Sequence, residues 1–303
     1  NAAAGSIWRP QSVSALDEVT VVGPNLMHLY PAPPRAIKNA GNIYHRQSML
    51  FGARGQLALS TAKVAIIGLG GVGSLISEWL AHLGVGEIVG IDFDVLEPTN
   101  RPRVVGATSW DAGEPFVNSQ YEFLQALGRK IAKYKVRIAA RTARRANSAI
   151  RYQEVVGSVG DLAVAKIIRD VDYIFLCADG MEARLVFNAL VHQYLIPGVQ
   201  IGSKVPVESS SGNVGDVFVA ARRILPYAGG GCLSCNQLIS ADRLREELTS
   251  PEQRRRQGYV DDPSVAAPSV ITLNALAAGH AANDFLFGFH GLLKDEAANG
   301  YLL

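Results

Sequence analysis

The chain has 303 residues, 48% of them apolar and 18% charged, which suits one large or two modest domains and excludes a disordered or fibrous protein. Its 29 basic and 27 acidic residues leave a net charge of +2. Such a balance gives no global field for nucleic acid or an anionic membrane, so any bound anion needs a local site.

In chain order, the N-terminal NAAAGSIWRPQ has no charged stretch followed by an apolar one, so no signal peptide is expected. It also lacks an initiator Met, and the chain is expected to begin inside a longer one. Residues 1–40 hold several prolines and little periodicity. Only 18–22 reads as a short strand, and the region is expected to be an arm, a linker or the remnant of a preceding domain. Residues 44–59 predict one or two short helices. Residues 63–67 (KVAII) form an apolar β-branched run, the mark of a buried parallel strand. A glycine-rich turn follows, then helical spacing over 72–83 and a second buried run at 87–91. That is a βαβ unit with a right-handed crossover.

Residues 121–148 read as helical and very basic, 155–159 as a strand and 162–169 as a helix. YIFLC (173–177) is a third buried strand, followed by a helix over 181–194. Two strands are predicted at 198–204 and 214–221, joined by ESSSGN. Residues 226–264 form a long crossover region with a charged helix at 242–257, and 268–289 an Ala-rich closing helix. No apolar run reaches the roughly 18 residues of a membrane span. The expected class is α/β: a Rossmann-like, mostly parallel sheet with helices on both faces, extended by antiparallel strands. One domain is expected over 41–303.

Gly68-Leu69-Gly70-Gly71-Val72-Gly73 gives G-x-G-x-x-G between a strand and a helix. Glycine lets the backbone turn sharply and lets a phosphate reach the helix N-terminus, where free N–H groups and the dipole favour an anion. Asp92 ends the next strand, at about the spacing of a carboxylate that binds a ribose hydroxyl. The motif alone does not separate NAD from ATP.

The residues around the loop carry a resemblance. Arg46-Gln47, Gly52-Ala53-Arg54-Gly55-Gln56, the loop, Gly84-Val85-Gly86, Asp92-Phe93-Asp94, Asn100 and Arg103 stand in order over 44–103. Lys135 then lies in a K-V-x-x-A helix, and Asp179, Arg184 and Asn188 in a strand-end segment resembling T-D-N-x-x-x-R. The chain resembles the ThiF/MoeB family of ubiquitin-activating-enzyme-like adenylyltransferases over about 44–290. Residues 258–278 are similar to its bacterial stand-alone members, some of which sit beside ubiquitin-like, conjugating-enzyme-like and protease partners.

The resemblance implies attack on the α-phosphate of ATP by the C-terminal glycine carboxylate of a ubiquitin-like or sulfur-carrier protein. The products are an acyl-adenylate and pyrophosphate. It gives Asp92 to the ribose, with Asp94 and Asn100 in support. Arg103 and Lys135 go to the phosphates, as does Arg46 from the other subunit of a homodimer, and Asp179 goes to magnesium. A Rossmann oxidoreductase using NAD would explain the loop and Asp92 but leave Arg46, Arg103, Lys135 and Asp179 without a shared task. A non-catalytic scaffold subunit is the third reading, though such relatives generally lose the arginines or the aspartate.

The chain departs from the pattern in four places. Residues 105–128 are an insert. Pro102 lies inside the N-x-x-R turn. Ala178-Asp179-Gly180 lacks the amide of T-D-N. Cys232 and Cys235 form C-x-x-C, but 265–274, where relatives carry a second pair, has no cysteine. A structural zinc needs four ligands, so that site has an incomplete set. If the activated protein passes to a thioester, Cys232 or Cys235 is the candidate nucleophile, while Cys177 is expected in the core. Three cysteines make no disulfide framework, and a reducing cytoplasm is expected.

Overall fold

Two small hairpins open the chain. β1 (Ser6–Arg9) pairs with β2 (Ser12–Ala15), and β3 (Val19–Val22) with β4 (Leu26–Leu29). The sequence predicts only the third of these strands. β1 and β2 are exposed throughout, so no buried face imposes an apolar alternation. The computed structural model describes residues 3–23, 26–31, 42–206, 213–227, 229–248, 268–292 and 301–302.

α1 (His45–Thr61) is interrupted at Gly52, whose φ of 75° breaks the helical path. It leads into β5 (Lys63–Ile67), α2 (Gly71–Leu83) and β6 (Glu87–Ile91). The insert holds α3 (Glu114–Val117) and the start of α4 (Glu122–Ile131). Next come α5 (Lys135–Ala146), β7 (Arg151–Val155), α6 (Leu162–Ile168) and β8 (Tyr173–Leu176). α7 (Met181–Tyr194), β9 (Gly198–Lys204), β10 (Phe218–Ile224) and α8 (Ala241–Leu248) follow. α9 (Ile271–Phe289) and the two-residue β11 (Tyr301–Leu302) complete the described chain. β7 lies earlier than predicted and β10 later. The rest of the charged helix predicted to reach 257, and most of ESSSGN, lie outside the described residues.

The main sheet runs β11-β10-β9-β8-β5-β6-β7. Pairing is parallel from β9 to β7, and β10 and β11 add antiparallel strands. Strand side chains alternate between faces. Val64, Ile66, Ile88 and Phe175 pack with α2, α5 and α9; Ala65, Ile67, Val89, Ile174 and Leu176 pack with α6 and α7. This is the expected α/β class. The chain leaves β5 toward β6 on one side and returns through β8 on the other. The strand order therefore reverses beside β5, where open α/β sheets leave a crevice at their carboxyl ends. Among the described residues no helix is long and apolar enough to cross a membrane.

The segment 105–128 is anchored by one buried carboxylate. Asp111 accepts both guanidinium nitrogens of Arg141, at 2.9 and 2.7 Å, with Lys133 Nζ at 3.1 Å and the Thr108 hydroxyl at 2.7 Å. Burial pushes the Asp111 carboxyl up, but these partners outweigh it and hold its pKa well below the ordinary value. A depressed folded pKa stabilises above the unfolded value of about 3.9, and that stability is lost as pH falls through the folded pKa. Asp111→Ala is expected to cost about 2 kcal/mol at neutral pH, since it strips a buried partner from Arg141. Urea melts at pH 7 and pH 3 would show the difference between wild type and variant shrinking at the acid end.

Candidate nucleotide site

The glycine loop sits at the strand reversal, after β5, against the chain leaving β8. Cys177 N–H donates to Ile67 O at 2.8 Å, and Gly68 N–H to Ile91 O at 2.9 Å, so the loop starts from a fixed point. Gly68 has φ +88°, and a Cβ there would lie 2.8 Å from the Ala178 backbone nitrogen. A Cβ on Gly73 would lie 1.9 Å from the Gly68 carbonyl oxygen. Both positions demand glycine, one for its dihedral and both for close approach. Gly70 stands before α2 with no side-chain cap on the helix and open space where its Cβ would be. The first N–H groups of α2 are thus left for an anion.

Asp92, at the carboxyl end of β6, accepts the Leu69 N–H at 2.6 Å and the Asp94 N–H at 2.7 Å. Its carboxylate ties the glycine loop to the D-x-D turn. Burial raises its pKa, and the two backbone bonds and Lys135 offset that rise only in part. Lys135, the first residue of α5 and 9% exposed, places Nζ 2.6 Å from Asp94 Oδ2. Its N–H also donates to Asp94 O at 2.9 Å. Asn100 caps a short helical turn, Arg101–Arg103, and its carbonyl accepts the Arg103 N–H at 3.1 Å. Pro102 fits inside this turn. The Ser74 hydroxyl on α2 accepts the Val105 N–H at 3.1 Å and holds the turn against the loop. A Cβ on Gly71 would fall 3.5 Å from Arg103 Cδ, which places Arg103 beside the phosphate loop.

Asp179 is exposed at the carboxyl end of β8, one residue past the backbone that Gly68 abuts. It acts electrostatically on Arg184, a half-buried guanidinium whose pKa burial lowers. Arg184 Nη1 donates to Leu238 O at 2.9 Å, and Asn188 Oδ1 accepts the Leu233 N–H at 2.9 Å. These two residues therefore fasten the C-x-x-C segment to α7. Cys177 packs against the core, and burial pushes its thiol up. Cys232 and Cys235 are free. Among the described residues no group of three or more His, Cys, Asp and Glu stands together to hold a metal, so zinc gains no further ligand here.

Arg46 is not brought to this site within the chain. Gln47 Nε2 donates to Leu83 O at 2.8 Å and to Gln56 Oε1 at 2.6 Å, and Gln56 Nε2 donates to Leu83 O at 3.1 Å. This clamp grips the C-terminal end of α2. The glycine loop lies at the other end of that 13-residue helix, about 20 Å away at 1.5 Å per residue.

Two residues escape the sequence reading. Glu247, on α8, accepts the Met181 N–H at 2.6 Å and so caps α7 beside Asp179. A Cβ on Gly180 would lie 2.6 Å from its Oε1, so Gly180 makes room for a carboxylate where the T-D-N pattern has an amide. Asn274, on α9 and 2% exposed, accepts the Ser203 hydroxyl at 3.1 Å and donates to Ser269 Oγ at 3.2 Å. Its amide backs Gly71. An exposed carboxylate and a second one nearby are hard oxygen donors of the kind magnesium takes, so the residues fit that ion.

A doubly wound α/β fold with a glycine loop at its strand reversal and an acidic turn after the next strand is the Rossmann type of arrangement, in which nucleotides bind at that reversal. The model of the ThiF family matches residues 44–289, and the chain belongs to that family. It is 29% identical over 214 residues to adenylyltransferase and sulfurtransferase MOCS3 of Sus scrofa, covering 69% of this chain and 40% of that protein. It is 30% identical over 148 residues to the molybdopterin-synthase adenylyltransferase of Escherichia coli K12, covering 48% of this chain and 52% of that one. The chain thus spans about half or less of these relatives. The crystal structure of E. coli MccB with succinimide superposes with a TM-score of 0.61 at 18% identity, over 87% of this chain and 71% of that one, a likeness of fold.

Proposed function

We propose that the chain uses ATP to adenylate the C-terminal glycine carboxylate of a ubiquitin-like or sulfur-carrier protein. One observation carries the reading: the glycine loop is hydrogen-bonded to Asp92, borders Arg103 and abuts the backbone just before Asp179, while the Lys135–Asp94 pair joins it through the D-x-D turn. Membership of the ThiF family and the names of the adenylyltransferase relatives support it.

The chemistry follows from charge. A carboxylate is ionised at neutral pH, so its oxygen attacks the α-phosphorus without a general base. The bond from that phosphorus to the β-phosphate oxygen breaks, and pyrophosphate leaves. The difficulty is that two anions must meet, which calls for positioning and cationic stabilisation. Asp92 and Asp94 orient the ribose, the α2 N-terminus receives phosphate, and Arg103 and Lys135 offset charge on the transferring group. On binding ATP, Lys135 exchanges its hold on Asp94 for a phosphate. Asp179 would hold magnesium, which would supply positive charge against the phosphates, and Glu247 steadies the turn that carries Asp179.

Arg46 serves the site of a second copy in a homodimer, since its own chain places it at the far end of α2. A conjugating-enzyme-like protein is a candidate acceptor of the product, and three free thiols suit a reducing cytoplasm. Cys232 and Cys235 rest against the second half of α7, about 10 Å along the helix from its start, and the proposal stops at the acyl-adenylate. Hydride transfer would give Arg103, Lys135 and Asp179 no common task.

The test is ATP–pyrophosphate exchange by the purified chain with magnesium and a partner ending in glycine. Exchange that depends on the partner is expected. Absence of exchange with ubiquitin-like and sulfur-carrier partners encoded beside it would favour the scaffold reading.

A further inference from the structure

Cys232 and Cys235 have no part in adenylation and no third metal ligand among the described residues. Their geometry is nonetheless well defined. The two sulfurs lie 3.2 Å apart, and the Cys235 N–H points at Cys232 Sγ from 3.3 Å. A disulfide is about 2.05 Å long, so closing the pair needs a movement of little more than 1 Å.

The turn that holds them is fixed on both sides. Leu233, between the cysteines, is fully buried in the core, and its N–H is held by Asn188 on α7. Beyond the pair, the Leu238 carbonyl is held by Arg184 from the same helix. Leu238 N–H closes the turn on Leu233 O at 2.9 Å, and the Asn236 amide donates to Cys232 O at 2.9 Å. The sulfurs are thereby held in near-attack position rather than left to find each other. Cys235 is exposed and Cys232 half-buried, so a small molecule can reach them, whereas Cys177 sits against the core. Burial opposes ionisation of Cys232, but hydrogen bonds from Cys235, Ser234 and Asn188 outweigh it and lower its pKa. The thiolate is the nucleophile in disulfide exchange.

We propose that Cys232 and Cys235 form a redox-active dithiol that closes reversibly to a disulfide by exchange with a low-molecular-weight disulfide of the glutathione type. Cys232 Sγ, as thiolate, attacks one sulfur of the external disulfide. The external S–S bond breaks, one thiol leaves, and a mixed disulfide remains on Cys232. Cys235 gives its proton to solvent and attacks Cys232 Sγ, which expels the second thiol. Two protein thiols are oxidised, one external disulfide is reduced to two thiols, and the protons lost by the protein are taken up by the leaving thiolates.

The full chain would be equilibrated with oxidised and reduced glutathione, quenched in acid, alkylated in denaturant and weighed. The expected result is loss of two alkylation sites, both on the 232–235 peptide, with Cys177 still alkylated. The Cys235→Ser variant should trap one glutathione on Cys232, while Cys232→Ser should form its adduct about tenfold more slowly, because it lacks the thiol that attacks first. A short peptide containing CLSC, treated alike, should need a more oxidising mixture than the folded chain. Any of three results would overturn the proposal: a dithiol that stays reduced in excess oxidised glutathione, a midpoint equal to that of the peptide, or tight binding of one zinc ion per chain that blocks both thiols.

Discussion

Gly73→Ala is expected to weaken ATP binding severely and to destabilise the chain. The added methyl would stand 1.9 Å from the Gly68 carbonyl oxygen and 2.9 Å from its carbon. Neither is the end of a flexible side chain; both belong to the backbone of the loop. Relief requires moving Gly68, and Gly68 is pressed on Ala178 and hydrogen-bonded to Ile91. Overpacking of this kind costs about 1–3 kcal/mol or more, and the loop that remains no longer presents its N–H groups in register. Titration with ATP should show affinity lower by at least about a hundredfold, near 3 kcal/mol, together with a lower melting temperature. Gly279→Ala, in the middle of α9 with the Trp79 ring 3.9 Å from the added methyl, is the same chemical change without the clash. It should leave ATP binding intact and raise stability by about 0.5–1 kcal/mol, the helix preference of Ala over Gly. Equal ATP affinity in the two variants would remove the loop from the site.

Asp179→Ala should silence exchange while leaving the fold as it is. Asp179 is exposed and its removal leaves no cavity, so stability should stay within the range of a surface change, about 0.5 kcal/mol. Its carboxylate follows the carboxyl end of β8, with Glu247 capping α7 next to it. Loss of an electrostatic contact to the transferring phosphate usually costs about a hundred- to a thousandfold in rate, and the same drop is expected in partner-dependent pyrophosphate exchange. A second readout separates magnesium from chemistry. ATP affinity of the wild type should rise with magnesium concentration, and that of the variant should respond less. Exchange retained at the wild-type rate would rule out the magnesium role of Asp179.

Much of this could be read from the chain alone, and the exceptions share a cause. β5, β6 and β8 are legible because each is a continuous apolar run buried on both faces, as in Val64 to Ile67 and Tyr173 to Leu176, and α7 because it buries Phe187, Leu190 and Val191 at helical spacing. β7 is an edge strand with only Tyr152 and Val155 buried, so its apolar signal is thin and the predicted position slips to 155–159. β1 and β2 bury nothing and leave no pattern. At the site, Gly68, Gly73 and Asp92 are legible because a phosphate loop and its acidic partner are close in sequence. Glu247 and Asn274 are not, since each reaches the site from a distant helix, and no local spacing ties Glu247 to Met181, 66 positions before it. Gln47 and Gln56 stand in a sequence motif, but no spacing along the chain ties them to Leu83 O, 36 and 27 positions away.

The strand order also bears on how the protein comes to be. β5 pairs with β8, and the contact from Lys63 to Asp172 spans 109 positions. Chain closure over such a distance is slow compared with forming a helix or a hairpin. The phosphate loop is made of residues 68–73, yet one of its walls is the backbone at Ala178. A ribosome therefore finishes the loop long before it makes that wall. Nascent chains cut short of β8 hold every glycine of the motif and have nothing for Gly68 to rest against, so the nucleotide affinity proposed for the chain would arrive late in synthesis and in step with the docking of a single strand.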